Sequence, residues 1–105
     1  MNINELLYGE DLEFYMKKEL VRILSSSCVW AILMVLKNHR SGMLNITALV
    51  NKLNSNYNSV SKCLDKMKRL GLVEDVKIGR LRLIKLNERN ELVKYMLSIL
   101  NVTSS

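Results

Sequence analysis

The sequence of 105 residues contains no proline, four glycines, two cysteines and a single histidine. Two cysteines are too few for the disulfide framework of a small secreted scaffold. One histidine argues against a histidine-based catalytic triad, and the sequence contains neither a glycine-rich phosphate loop nor paired carboxylates in a predicted cleft. We therefore expect that the protein is not an enzyme.

Metal-ligating side chains are equally scarce. Cys28, Cys63 and His39 supply at most three ligands, whereas a structural zinc site uses about four. Both cysteines fall on apolar helix faces, which predicts buried free thiols. A Cys28–Cys63 disulfide is one alternative, disfavoured inside the cell, and thiol sensing by Cys63 is another. We expect neither a metal nor a cofactor.

Long apolar stretches are also missing. The longest, Cys28 to Leu36, has nine residues, far short of the ~20 that a helix needs to span a bilayer. The N-terminal segment carries Glu5, Glu10 and Asp11 and lacks the basic-then-apolar order of a signal peptide. The overall share of hydrophobic residues, 49%, is ordinary for a folded domain. We expect one domain inside the cell, without membrane contact.

Positive charge, by contrast, is abundant and unevenly placed. The formal net charge is +6. Residues 1–36 carry 3 basic and 5 acidic side chains, residues 37–85 carry 11 and 3, and residues 86–105 carry 2 and 2. The excess is therefore confined to the middle of the chain, which indicates an anionic partner for that part.

Apolar periodicity and turn residues predict a mainly helical chain with a small β hairpin. An N-terminal helix (10–26) and a C-terminal helix (88–101) flank a core of residues 27–87. The predicted elements of this core are an apolar helix from 28 to about 38–42, a short strand 43–46, a helix 48–53, a polar turn 54–58, a helix of about 58–70, and strands 72–78 and 81–86 joined by Gly79-Arg80. This order is that of a winged helix-turn-helix, with a recognition helix at about 58–70 and a wing at about 72–87.

The stretch from Asn58 to Glu74 includes Leu-Gly-Leu-Val at 70–73. It resembles the recognition-helix region of winged-helix transcription regulators of the MarR/ArsR type. Gly79-Arg80, followed by Ile84, Leu86 and Asn87, is similar to the wing of that family, and the resemblance covers about residues 27–90. One difference is that Cys63 stands alone where metal sensors of the ArsR type carry a Cys-x-Cys pair. The resemblance implies a regulator that binds double-stranded DNA.

A recognition helix in the major groove places its N-terminal residues nearest the base edges. Asparagine can bond an adenine edge twice, and lysine can bond guanine acceptors. Basic residues further along the helix suit phosphates, and the resemblance implies that Arg80 contacts the backbone or a narrow minor groove from the wing tip. The candidate DNA-binding residues are Asn56, Tyr57, Asn58, Ser59, Ser61, Lys62, Lys66, Arg69, Lys77, Arg80 and Arg82.

Three acidic residues in the same region count against a uniformly anion-binding surface. We expect Asp65 to pair with Lys62 or Arg69 across one helical turn. Glu74 and Asp75 are expected on the side of the wing strand away from phosphate.

The flanking helices carry more apolar residues than one buried stripe requires, which predicts a homodimer interface. The candidate interface residues are Leu12, Tyr15, Met16, Leu20, Leu92, Tyr95, Met96, Ile99 and Leu100. A two-fold dimer would place two recognition helices about one DNA turn apart on a pseudo-palindrome. We expect a cytoplasmic, nucleoid-associated protein that acts as a repressor, and no residue marks the site of an effector.

Two other functions fit the same pattern. One is a nonspecific DNA-coating protein of the chromatin type, and the other is a winged-helix module that binds another protein. Abundant Asn, Lys, Ile and Leu without Pro indicate an AT-rich genome, with an archaeon or an archaeal virus as the hypothetical source.

Overall fold

The structure, a computed structural model, describes the backbone of residues 10–102 and the side chains of residues 13–101. Five helices and three strands follow one another along this range. They are α1 (Glu10–Leu24), α2 (Ser27–Asn38), β1 (Met43–Leu44), α3 (Ile46–Leu53), α4 (Tyr57–Arg69), β2 (Val73–Ile78), β3 (Leu81–Leu86) and α5 (Glu91–Val102).

Asparagine side chains determine where the two central helices begin. Asn45 accepts a hydrogen bond from the Ala48 backbone N–H at 2.8 Å, and α3 therefore starts at residue 46, two residues earlier than the sequence predicted. The preceding strand is correspondingly short. Asn56 caps α4 in the same way, accepting from the Ser59 N–H at 2.9 Å.

Gly71 ends α4, as the sequence predicted. Its φ of 73° lies in the left-handed region, where glycine has no Cβ to clash. The Gly71 N–H donates to the Lys68 carbonyl, and the Leu72 N–H donates to the Met67 carbonyl. These two bonds form a Schellman motif, which stops the helix and turns the chain into β2.

The sheet is antiparallel and three-stranded, in the order β1-β3-β2. Val73 pairs with Leu86 at one end of the hairpin, and Ile78 pairs with Leu81 at the other, beside the Gly79 turn. The short strand β1 adds to the free edge of β3 at the end remote from that turn. Helices α2, α3 and α4 with this sheet form the predicted winged helix-turn-helix.

The hydrophobic core lies between α2, α3, α4, the inner ends of β2 and β3, and α5, and it contains no buried polar or charged side chain among the described residues. Its fully buried members are Ile23, Val29, Ile32, Leu33, Leu36, Leu49, Leu64, Met67, Leu72, Val93 and Met96.

Helix α1 packs poorly against this core. Of its described side chains, Ile23 alone is buried. The indole Nε1 of Trp30 donates to the Leu24 carbonyl at 2.7 Å and joins the end of α1 to α2. In the described range, no single helix is long and apolar enough to cross a bilayer; α1 and α2 pass such a test of length and composition only as a pair bent by 59°.

Two asparagines join the end of the recognition helix to the start of α5. Asn90 Nδ2 donates to the carbonyls of Leu70 and Gly71, each at 3.2 Å, while its Oδ1 accepts from the Leu92 N–H at 2.8 Å and caps α5. Asn87 Nδ2 also donates to the Gly71 carbonyl, at 2.9 Å. Because Asn90 is the cap, α5 begins at Glu91 and not at residue 88 as predicted.

Replacing Asn90 with alanine is expected to lower the free energy of unfolding by about 2 kcal/mol, because it removes a helix cap and leaves two carbonyls with fewer donors. Urea denaturation followed by circular dichroism measures the change. The matched control is Asn51→Ala, since Asn51 is exposed on α3 and its side chain makes no hydrogen bond among the described residues. Equal losses in the two variants would contradict the role assigned to Asn90.

The structure corrects the prediction of two buried free thiols. Cys28 and Cys63 form a disulfide, with their Cα atoms 6.4 Å apart. Cys63 is buried on the inner face of α4, but Cys28 is exposed in the first turn of α2. The packing of α2 across α4 brings the two residues within the Cα separation that a disulfide requires.

Candidate nucleic-acid interface

One face of α4 points away from the core. Val60, Cys63, Leu64 and Met67 are buried. The residues opposite them follow at spacings of four, three and four, so they form one exposed stripe along the helix. The stripe consists of Asn58, Lys62, Asp65 and Arg69.

A groove of about 190 Å³ separates α4 from the sheet. Tyr57 and Ser61 line it from the helix, and Arg82 lines it from β3. The start of the recognition helix and the wing therefore border one continuous surface. Ser59 is exposed and Lys66 is half-buried, and their spacing of seven residues places both on the flank of α4 away from this groove.

The wing carries like charges at close range. Lys77 on β2 and Arg82 on β3 are direct cross-strand partners, so their side chains share one face of the hairpin. Like charges in that position destabilise a hairpin unless an anion lies between them. Arg80 is exposed in the turn itself, next to Gly79 with its φ of 61°.

Ion pairing divides the basic residues into two groups. All six cations among the predicted DNA-binding residues lack a carboxylate partner within the described residues; they are Lys62, Lys66, Arg69, Lys77, Arg80 and Arg82. The other basic side chain of α4, Lys68, pairs with Asp75 at 3.1 Å, and Lys85 pairs with Glu74 at 3.7 Å. The two acidic residues of β2 are thus neutralised by neighbouring lysines, and the six cations are left available to an external anion.

Two polar residues differ from expectation. Asn56 uses its side-chain oxygen to cap α4, so that oxygen is already engaged. Asp65 forms no ion pair with Lys62 or Arg69 in the part of the chain that the structure describes, and it stands as an unpaired carboxylate in the exposed stripe. The stripe therefore combines the donors of Asn58, Lys62 and Arg69 with the acceptors of Asn58 and Asp65.

The predicted dimer residues fall into three groups. Five are exposed and apolar or aromatic, and they are Tyr15, Met16, Leu20, Tyr95 and Ile99. Leu92 and Leu100 are half-buried against the core. Met96 is fully buried in the core of one chain and has no surface there to offer a second copy. The side chain of Leu12 lies outside the described residues.

Several features escaped the sequence analysis. Phe14, Val21 and Leu24 on α1 are exposed and extend the apolar surface around that helix. Phe14 and Val21 lie off the i, i+3, i+4 stripe of α1, so no spacing marked them, whereas Leu24 lies on that stripe. Asn90 had a detectable signal, since asparagine immediately before an apolar helix is a typical N-cap.

Comparisons with known proteins test the fold. No protein-family model matches the chain, and no curated protein matches it at a significant level. Among solved structures, MepR, a transcription regulator of the Staphylococcus aureus multidrug efflux pump MepA, superposes with a TM-score of 0.63 and 18% identity, covering 99% of this chain and 80% of that one.

Two further structures are similar. TubR bound to 24 bp of tubC from Bacillus thuringiensis serovar israelensis pBtoxis gives a TM-score of 0.59 at 20% identity, over 76% of this chain and 85% of that one. Reduced HlyU from Vibrio cholerae N16961 gives 0.58 at 20% identity, over 93% and 94%. The chain therefore shares the winged helix-turn-helix fold of these three proteins, in agreement with the fold that the resemblance in its sequence implied.

Proposed function

We propose that the protein is a sequence-specific regulator of transcription that binds double-stranded DNA as a homodimer. The observation that carries this proposal is the placement of six unpaired cations on α4 and the wing. TubR, which has the same fold, was solved in complex with DNA. A repressor that occupies a pseudo-palindromic site is the form that we propose.

In this proposal α4 enters the major groove with its exposed stripe towards the bases. Asn58 is one residue into the helix and offers both an amide donor and a carbonyl acceptor for an adenine edge. Lys62 and Asp65 follow it, and a carboxylate in this position can accept from a cytosine amino group. Arg69, one turn further, contacts phosphate. Arg80 reaches the backbone or minor groove from the wing tip.

The homodimer is proposed because α1 lacks sufficient packing within one chain. A 15-residue helix with a single described buried side chain is marginal in water. A shallow apolar groove runs between α1 and α5. Met16 and Leu20 line it from α1, and Leu92 lines it from α5. A second copy that packs its own α1 and α5 there would bury this surface. Two-fold symmetry would then present two copies of α4 to one side of a duplex.

Selection of bound duplexes from a random pool tests the whole proposal. An enriched pseudo-palindrome is the expected result, with affinity at least ~10³ above that for random duplex. Enrichment of no sequence, together with tight binding, would indicate a chromatin-type coating protein. Absence of binding at low salt would exclude DNA as the partner and leave a protein-binding module.

Replacing Asn58 or Ser61 with alanine is expected to change sequence preference more than bulk affinity. Loss of a base contact costs about 1–3 kcal/mol on the preferred site and little on random duplex. Competition binding on the selected site and on a scrambled duplex separates the two effects. Thr47→Ala, an exposed position on α3, is the control. If neither variant shifts the preference, α4 does not select the sequence.

Replacing Ile99 with glutamate is expected to raise the dimer dissociation constant about a hundredfold. The substitution removes a large apolar side chain from the proposed interface and introduces a charge there. Ile99 is 53% exposed in the single chain, so the monomer should still fold. Analytical ultracentrifugation across a concentration series measures the effect, with Asn51→Glu on α3 as the control. An unchanged dissociation constant would show that α5 is not part of the dimer interface.

A further inference from the structure

A second basic site lies at the end of the sheet remote from the wing tip. A cleft of about 680 Å³ is bounded by the C-terminal end of α2, by β1, by the paired ends of β2 and β3, and by the segment that leads to α5. This volume is within the range of small-molecule sites. Lys85 lies five residues along the strand from Arg80, or roughly 16 Å. The cleft is thus separated from the turn of the wing.

The lining of the cleft is charged on its walls and apolar on its floor. Leu36 and Leu86 are buried, and Met43 is half-buried beside them. The charged lining residues are Lys37, Arg40, Lys85 and Arg89 on the basic side and Glu74 and Glu88 on the acidic side. Four cations and two carboxylates leave the lining with a charge of +2.

The ion pairs in the cleft leave its two arginines free. Lys37 binds Glu88 at 3.0 Å, and Lys85 binds Glu74 at 3.7 Å, so each carboxylate already has a lysine. Arg40 and Arg89 are exposed and have no carboxylate partner within the described part of the chain. A guanidinium offers a planar set of donors that fits the oxygens of a phosphate group.

One wall of the cleft is held in place by a hydrogen-bonded turn. His39 Nδ1 lies 2.9 Å from Ser41 Oγ and 3.3 Å from the Ser41 backbone nitrogen. Ser41 Oγ donates to the Met43 carbonyl at 2.9 Å and accepts from the Met43 N–H at 3.2 Å. The turn that carries Arg40 is therefore anchored to β1, and His39 is one of the residues that line the cleft.

We propose that this cleft binds a small organic phosphate monoester. The group carries a charge of about −1.5 to −2 near neutral pH, which matches the +2 of the lining. Arg40 and Arg89 bind its phosphate oxygens, and the carbon skeleton lies on Met43 and Leu86. The proposal is independent of DNA binding, because none of these residues belongs to α4 or to the wing tip.

The test is isothermal titration calorimetry with AMP as the probe, with adenosine, inorganic phosphate and citrate as comparison ligands. We expect AMP to bind, adenosine not to bind, and inorganic phosphate and citrate to bind more weakly. Arg40→Gln and Arg89→Gln should each lower AMP affinity about tenfold, as expected for lost charge-assisted hydrogen bonds. Arg80→Gln is the matched control and should leave AMP affinity unchanged while weakening duplex binding.

Changes in amide chemical shift on addition of AMP locate the ligand. These changes should be largest at Gly42, Lys85 and Asn87 and absent from the first turn of α4. AMP binding that persists in the Arg40→Gln, Arg89→Gln double variant, shifts centred on α4, or equal affinity for citrate or inorganic phosphate would each overturn the proposal. No AMP binding in the millimolar range would do so as well. If the double variant loses duplex affinity as strongly as Arg80→Gln does, the cleft is a DNA contact instead.

Discussion

Replacing Lys66, Arg69 and Arg80 together with alanine is expected to lower the affinity for duplex DNA about a thousandfold at 0.1 M salt. The logarithm of the affinity falls linearly with the logarithm of the salt concentration, and each cation that neutralises a phosphate makes this slope steeper by about 0.9. At 0.1 M salt, one such contact corresponds to about one order of magnitude in affinity. None of the three side chains has a carboxylate partner among the described residues. Their removal therefore breaks no internal ion pair and should leave stability nearly unchanged.

Fluorescence anisotropy over a salt series measures this effect. The slope of log affinity against log salt should become less steep by about three units. The control is a triple variant with the same net charge, Lys17→Ala, Lys18→Ala and Lys94→Ala, whose substitutions lie on α1 and α5. We expect its affinity to change by less than about threefold, since exposed charges more than a Debye length from the duplex are largely screened. Equal losses in both triple variants would mean that overall charge, and not α4 and the wing, attracts DNA.

Reduction of the Cys28–Cys63 disulfide is expected to lower the free energy of unfolding by about 4 kcal/mol. The bond closes a loop across a sequence separation of 35 residues, and a crosslink of this length restricts the unfolded chain by about that amount in the chain-entropy model. For a domain of this size, that is a large part of the total stability.

Urea denaturation with and without reductant measures the loss. The Cys28→Ser variant supplies the control: it should have the stability of the reduced protein, and reductant should not change it further. This comparison separates the crosslink from packing, because Cys28 is exposed and Cys63 remains in the core. Two thiols available for alkylation in the denatured, unreduced protein would show that the disulfide is not formed.

Local sequence signals were sufficient to predict the position of the recognition helix, α4. The polar turn at residues 54–58, the buried positions at spacings of three and four, and Gly71 predicted α4 to within one residue at each end. The hairpin was also predicted correctly, since Gly79 and the alternation of the strands are local signals. These elements depend on neighbours within one or two turns, and a single sequence contains that information.

The sequence predicted which residues of α4 are basic or polar, but it did not predict which of the basic residues have an ion-pair partner within the chain. Periodicity placed Asn58, Lys62 and Arg69 on α4, but no local pattern distinguished a lysine with a partner from one without. Lys68 is neutralised by Asp75 because the Schellman turn folds β2 back beside α4. Such a pairing depends on tertiary contact, and the sequence contained only the two charges.

By itself, therefore, the sequence determined the helices, the wing and the concentration of basic residues in the middle of the chain, because period, turn chemistry and charge are local properties. The tertiary structure decided which of those charges are free, and it buried Met96 and exposed Phe14. It also brought Cys28 to Cys63 and gathered Arg40 and Arg89 around one cleft. Each of these facts joins residues distant in the chain, and packing of the core is what brings them together.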